Sequence, residues 1–212
     1  MSFAQWALRR LGSIHGRKVH ASRVHVLASH FAEMIPPGHR VLDVGCGDGV
    51  IDRLLQERRP DLHIAGVDTL VRPNARIPVT SFDGKQLPFG DKSWDTVLFC
   101  DVLHHAEEPV GILRDAARVA RHSVIIKDHL AEGAFAWSLL RFMDFVGNAP
   151  HGVERPYKYF NRAQWASAYR EAGLLPAETK TRLLLYPAWA DPIFGRSLHF
   201  ISRCDVLHRP SG

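Results

Sequence analysis

Val41-Leu-Asp-Val-Gly-Cys-Gly-Asp-Gly49 is the stretch that decides how this chain folds. Arg40 to Val44 is a short apolar run that reads as a buried strand. Gly45 to Gly49 places a glycine at every second position. Val50 to Arg59 then reads as a helix with Ile51, Leu54 and Leu55 inward, closed by Pro60. Glycine lets the backbone turn sharply and pass close to a ligand. A strand that runs into such a turn and then into a helix N-terminus puts that ligand at the carboxyl edge of a sheet.

Outward from the loop the same pattern recurs. His63 to Val67 reads as a second strand ending at Asp68, Ile77 to Phe82 as a third, Trp94 to Cys100 as a fourth and Ser123 to Lys127 as a fifth. Pro109 suits the first position of a helix that runs to about Ala120. Upstream, Val19, Val24, Leu27, Phe31, Met34 and Ile35 recur at helical spacing until Pro36-Pro37-Gly38 stops them. Near-continuous apolar strands alternating with helices require a mostly parallel sheet covered on both faces, a three-layer α/β sandwich of Rossmann-like type.

After Asp128 the character changes. Residues 131–160 are irregular and rich in aromatics, among them Phe135, Trp137, Phe142, Phe145, Tyr157, Tyr159 and Phe160. They read as an insertion in one domain. Asn161 with Gln164 three residues on forms a capping-box pattern, and Gly173 ends that helix. Closing strands are expected at 181–186 and 197–203. The chain therefore divides into an N-terminal helical arm or lid over 1–38 and a main domain over 39–212.

The 212 residues carry a net charge of +5, and residues 1–40 hold all of the excess, with Arg9, Arg10, Arg17, Lys18, Arg23 and Arg40 against Glu33 alone. Residues 41–212 are balanced, which excludes a uniformly basic nucleic-acid surface and makes nucleic acid a poor partner. The arm over 1–23 suits a weak contact with an anionic membrane surface, or a lid over the site. Three widely spaced cysteines make no disulfide or zinc pattern, and no apolar run of spanning length is present, so a reducing cytoplasm is the expected compartment.

Which ligand the loop holds is a question of charge. In the dinucleotide fingerprint the third glycine comes one residue later than Gly49, and that position is Val50. Asp43 lies inside the strand and Asp48 inside the loop. Pyrophosphate is repelled by such carboxylates, whereas a cationic sulfonium with an ammonium group is favoured. Asp68 has the position to accept hydrogen bonds from ribose hydroxyls.

Val41 to Gly49 resembles motif I of the class I S-adenosylmethionine (SAM) dependent methyltransferases. Gly66-Val-Asp68 resembles their second-strand acidic motif, and Phe82-Asp-Gly84 with Leu87-Pro-Phe89 their adenine-contacting turn. Trp94 to His105 resembles the fourth strand of the small-molecule "type 11" branch that includes quinone-biosynthesis enzymes. Leu113 to Val119 resembles the Leu-x-Glu-x-x-Arg-Val helix, with Asp115 in place of Glu. The resemblance implies a seven-stranded sheet and SAM as methyl donor, and it does not imply an acceptor; a small or medium-sized metabolite is the acceptor expected here. By position it implies that Asp43, Gly45, Cys46, Gly47 and Gly49 surround the methionine part and that Asp68, with Thr69 beside it, takes the ribose. It places Phe82, Asp83 and Gly84 at the adenine, and Cys100 and Asp101 near the amino acid and methyl. Only residues 69–76 separate Asp68 from the third strand, so the usual helix there is shortened or absent and the adenine side is open.

Candidate acid–base residues are His129 with Asp128, and His105; all would lie on the ligand-binding edge, where a histidine can take a proton from an acceptor. His104 reads as packing. No histidine or cysteine grouping has metal-ligand spacing, so no metal is expected. Beside the methyltransferase reading stand a non-catalytic SAM-binding partner or regulatory subunit and a nucleotide-dependent oxidoreductase.

Overall fold

The computed structural model describes residues 22–133, 135–141, 158–187 and 198–207, together with Asp191 and Gly195. The first 21 residues, and most of the aromatic segment (142–157), lie outside the described residues. In chain order the elements are α1 (22–34), β1 (Arg40–Val44), α2 (Val50–Arg58), β2 (His63–Asp68), β3 (Val79–Ser81) and β4 (Trp94–Cys100). A single 3-10 turn follows (Leu103–His105), then α3 (Pro109–Val119), β5 (Ala120–His129), a short α4 (136–141), α5 (Arg162–Ala172), β6 (Leu174–Lys180) and β7 (His199–Val206).

Seven strands form one sheet in the order β3-β2-β1-β4-β5-β7-β6. β1 to β5 pair in parallel and β7 lies antiparallel between β5 and β6. The chain reverses its winding after β3, crossing from the β3 edge to β4. A crevice therefore opens at the carboxyl ends of β1 and β4, the place where doubly wound sheets bind ligands.

The central strands alternate between two apolar layers. Leu42, Val44, Val97 and Phe99 face α3 and α5 with Leu113, Ala116, Trp165 and Ala168. Val41, Leu98 and Ile125 face the other way, toward α1 and α2 with Leu27, Phe31, Met34 and Leu55. The end of α1 is held by Arg59, whose Nη1 donates to the carbonyls of Ala32 at 2.6 Å and Ile35 at 3.0 Å. Its remaining guanidinium nitrogens bind Asp61, which also accepts from Gly38 N at 2.9 Å. The carbonyls that a helix leaves unsatisfied at its C-terminus are thus met by a side chain from the end of α2.

The capping box at Asn161 and Gln164 forms as expected, and Gly173 closes α5 at φ 73°. Four elements differ in extent from the sequence expectation, the last of them β7, expected at 197–203 and found at His199–Val206. β3 spans only three residues, and β5 extends to Ala120 and His129. The strand expected at 181–186 is instead β6 at 174–180. Residues 181–185 are irregular, with Leu183 and Leu185 buried beneath α1. Among the described residues no helix is long and apolar enough to cross a membrane.

Leu98 is fully buried in β4 at the centre of the sheet. Leu98→Ala should lower the unfolding free energy by about 2–5 kcal/mol, measured by urea denaturation, through lost transfer energy and the cavity left behind.

Candidate functional site

The loop between β1 and α2 turns through left-handed backbone at Gly45, Gly47 and Gly49, with φ of 76°, 60° and 69°. At Gly45 a Cβ would stand 2.6 Å from Val102, which follows β4, so this glycine lets the two crevice walls meet. Gly45 N donates to Val67 O at 2.7 Å, tying the loop to β2. Gly47 N donates to Asp68 Oδ2 and Leu70 N to Asp68 Oδ1, both at 2.9 Å. The Asp68 carboxylate is therefore fixed at the loop, 21 residues away in sequence, with lone pairs on both oxygens still available.

Asp43 is the penultimate residue of β1, just before this loop, and is 4% exposed. Burial raises its carboxyl well above the usual range, and Asp52 beside it adds to the effect. Cys46 and Cys100 are thiols whose ionisation burial opposes, so neither is a thiolate at neutral pH.

The segment after β2 is irregular through residue 78, and Leu70 and Val71 are 70% and 43% exposed, so the expected open flank is present. Opposite lies a shallow hollow lined by Phe82, Asp83, Gln86, Leu87, Pro88 and Phe89. Asp83 Oδ1 accepts from Lys85 N at 2.8 Å and Gln86 N at 2.9 Å, which shapes the turn and holds the carboxyl below its ordinary range. A Cβ on Gly84 would lie 3.2 Å from Thr69, so this turn packs against the end of β2. Asp115 on α3 accepts from Leu87 N at 2.6 Å and from Arg118 at 2.7 Å, and Arg118 donates to Phe89 O at 2.8 Å. The helix motif of the sequence is a clamp on the hollow's far wall.

The other half of the crevice is a packed polar cluster. Asp128 is buried and accepts from Leu103 N at 3.1 Å, His129 N at 2.7 Å and His104 Nδ1 at 2.7 Å. The His104 imidazole, and after it that of His129, hold its carboxyl well below the ordinary range against the cost of burial. His129 Nδ1 lies 3.3 Å from the same carboxylate and 3.4 Å from His104 Nδ1. His104, read as packing, is thus the closest imidazole partner of Asp128. His105 lies tilted against His104, with ring centroids 4.0 Å apart and planes at 48°. Burial lowers His129 below the usual imidazole range, so it is neutral at pH 7 and 4% exposed.

Asp101 takes left-handed backbone at φ 57° after β4, 25% of its side chain facing solvent. Its carboxylate pairs with the buried ammonium of Lys127 and with Arg23 of α1 at 3.4 Å. Charge from Lys127 and Arg23 holds Asp101 ionised despite burial. Lys127 and His199 were not picked out in the sequence. His199 sits on β7 directly across from His129, its ring 4.9 Å away, and Lys127 Nζ lies 3.3 Å from its Nδ1. Asp101, His129 and His199 converge closely enough to hold a metal ion. The Lys127 ammonium already fills the cation's place between Asp101 and His199.

A seven-stranded sheet with a glycine loop after β1 and an acidic residue ending β2 defines the class I methyltransferase fold. Solved structures agree. A methyltransferase in complex with the Trm112 methyltransferase activator of Haloferax volcanii superposes with TM-score 0.68 at 20% identity, covering 91% of this chain and 93% of that one. The family model described as "Methionine biosynthesis protein MetW" matches residues 27–166, and the chain belongs to that family. A ubiquinone biosynthesis O-methyltransferase of Hahella chejuensis is 29% identical over 97 residues, 40% of each chain. A demethylmenaquinone methyltransferase of Thermotoga maritima is 26% identical over 138 residues, 58% of this chain and 60% of that one. The chain thus spans from 40% to 60% of the length of these two relatives.

Asp128→Asn should destabilise the protein by about 1–3 kcal/mol at pH 7, since the anion is what its three donors satisfy. The folded-state carboxyl is depressed, so this contribution is complete above the ordinary carboxylate range, about pH 4, and disappears as pH falls below it. Urea midpoints of the two proteins should therefore converge under acid conditions.

Proposed function

We propose that this protein is a SAM-dependent methyltransferase acting on a small or medium-sized metabolite. One observation carries the reading. Four carboxyl groups, Asp43, Asp48, Asp52 and Asp68, surround a glycine loop at the carboxyl edge of a doubly wound sheet. A pyrophosphate is repelled there, and a sulfonium with an ammonium group is attracted. Among the described residues neither Asp52 oxygen nor Asp43 Oδ1 meets a hydrogen-bond donor, so the site offers acceptors to a cation. The names of the relatives, which specify methylation of quinone precursors, support the same class.

In this reading Gly45, Cys46, Gly47 and Gly49 line the methionine part of the donor, Asp43 faces its ammonium, and Asp68 accepts from its ribose hydroxyls. Thr69, Phe82, Asp83 and Gly84 frame the adenine in the hollow, and Cys100 and Asp101 border the methyl. When bound, the donor supplies a methyl already activated by positive sulfur. The residues then have only to align an acceptor and exclude water, worth about 7–11 kcal/mol of barrier where alignment is good. His129, kept neutral, is the group to receive an acceptor's proton. Asp128, His104 and His105 hold the His129 ring in place, and α1 borders the site through Arg23; the arm over 1–21 lies outside the described residues.

A donor-binding protein without turnover is the second reading, favoured by the burial of His104, Asp128 and His129. Incubation with methyl-labelled SAM and fractionated cell extract separates the two: label appearing in a small molecule supports the enzyme, and donor binding with no transfer supports the partner.

Asp68→Ala should weaken SAM binding by roughly 1–3 kcal/mol, read by titration calorimetry, through lost charge-assisted hydrogen bonds. His129→Ala should lower turnover by roughly 10²–10⁴-fold while changing the SAM dissociation constant little, the usual size of a general-base effect.

A further inference from the structure

Asp52 lies in the first turn of α2, directly behind the glycine loop, and is wholly buried. An acid in a first helical turn normally faces water or the free amides. Here neither carboxylate oxygen receives a hydrogen bond from any N–H or O–H among the described residues. What does reach it is the carboxyl of Asp43, itself 4% exposed, with its own Oδ1 equally unserved. Two carboxylates in contact repel, and burial magnifies the repulsion. A hydrogen bond between two carboxyl groups needs a proton on one of them.

The other groups facing the pair add negative charge or none. Asp68 from β2 and Asp48 from the loop are acidic. Asp48 has its own partner in Arg76 at 3.7 Å. The thiols of Cys46 from the loop and Cys100 from β4 are protonated and neutral. The cation nearest the loop glycines is Arg72, whose Nη2 lies 4.0 Å from where a Cβ on Gly47 would stand.

We propose that Asp52 is a positioning residue that makes the donor site proton-coupled: without donor, Asp43 and Asp52 share one proton, and they release it when a cationic amino group is seated against Asp43. The proposal rests on the methyltransferase reading for the identity of the cation. In the step, the O–H bond between the carboxyls breaks, the proton leaves to solvent, and the ammonium's N–H replaces it as donor to Asp43. No other bond changes. Below neutrality the proton competes with the donor. As pH rises toward the range in which the free pair ionises, the donor gains affinity, up to tenfold for each pH unit while one proton is displaced, and the gain ends once the pair has lost its proton without donor. The pair titrates as a unit, so the proton belongs to both residues.

The test is calorimetric titration with SAM and with S-adenosylhomocysteine at pH 6, 7 and 8, each in buffers of differing ionisation enthalpy. It is run on the full chain and on Asp52→Asn, whose amide can donate to Asp43 without a titrating proton. The wild type should release about one proton per donor bound near pH 6–7, and the variant markedly less, with a dissociation constant that no longer depends on pH over that range. A proton on the donor's own amine would be released equally by both proteins, so equal release overturns the proposal. Infrared difference spectra of the protein without donor provide a second readout. A protonated-carboxyl band at neutral pH should vanish in both Asp52→Asn and Asp43→Asn, and its absence from the wild type also overturns the proposal. Failure of the wild type to bind either compound would sink the methyltransferase reading, whereas binding with no proton release sinks only this one.

Discussion

Three glycines at positive φ carry the chain from β1 into α2, and the amide of the middle one meets the carboxylate of Asp68 at 2.9 Å. This contact joins the ends of two adjacent parallel strands around a turn that side-chain-bearing residues adopt only at a cost. It sets the depth of the crevice, because Gly45 must pass beneath Val102 with no room for a Cβ. It also aims α2 so that Asp52 and Leu55 face inward, one into the polar floor and the other into the apolar layer shared with α1.

The crevice is divided electrostatically. Its floor near β1 and β2 carries carboxyl groups that lack cationic partners in proportion to their number. Its wall at β4, β5 and β7 carries buried Lys127, neutral His129 and His199, and an Asp101 already satisfied by two cations. A cation is welcome on the first side. The second offers neutral rings and two carboxylates, Asp101 and Asp128, whose charge is already met by neighbouring donors and cations.

Much of this was legible in the sequence, because the signals were local. The β1 run, the alternate glycines, the strand ending in Asp68 and the capping box at Asn161 each specify their structure within a few residues. The misreading at 181–186 has a clear cause. Leu183, Leu184 and Leu185 look like a strand, yet two of them bury as an irregular strap under α1. The true β6 is an edge strand with Pro176 and a mostly exposed face, and edges carry little hydrophobic signal. Asp52 escaped notice because an acid in a first helical turn is ordinary there, and only the fold shows it to be buried. Lys127 and His199 could not be joined by eye: their contact depends on an antiparallel register that links positions 72 residues apart.

Arg23 stands in the opening turn of α1 and its guanidinium rests on Asp101 and over the ring of Tyr186. The chain preceding it holds four further basic residues, Arg9, Arg10, Arg17 and Lys18. Through the one side chain of Arg23 the first turn of α1 is tied both to the residue that follows β4 and to the irregular stretch after β6, so a displacement of that turn would uncover the Asp101 carboxylate and leave Lys127 as its cationic partner.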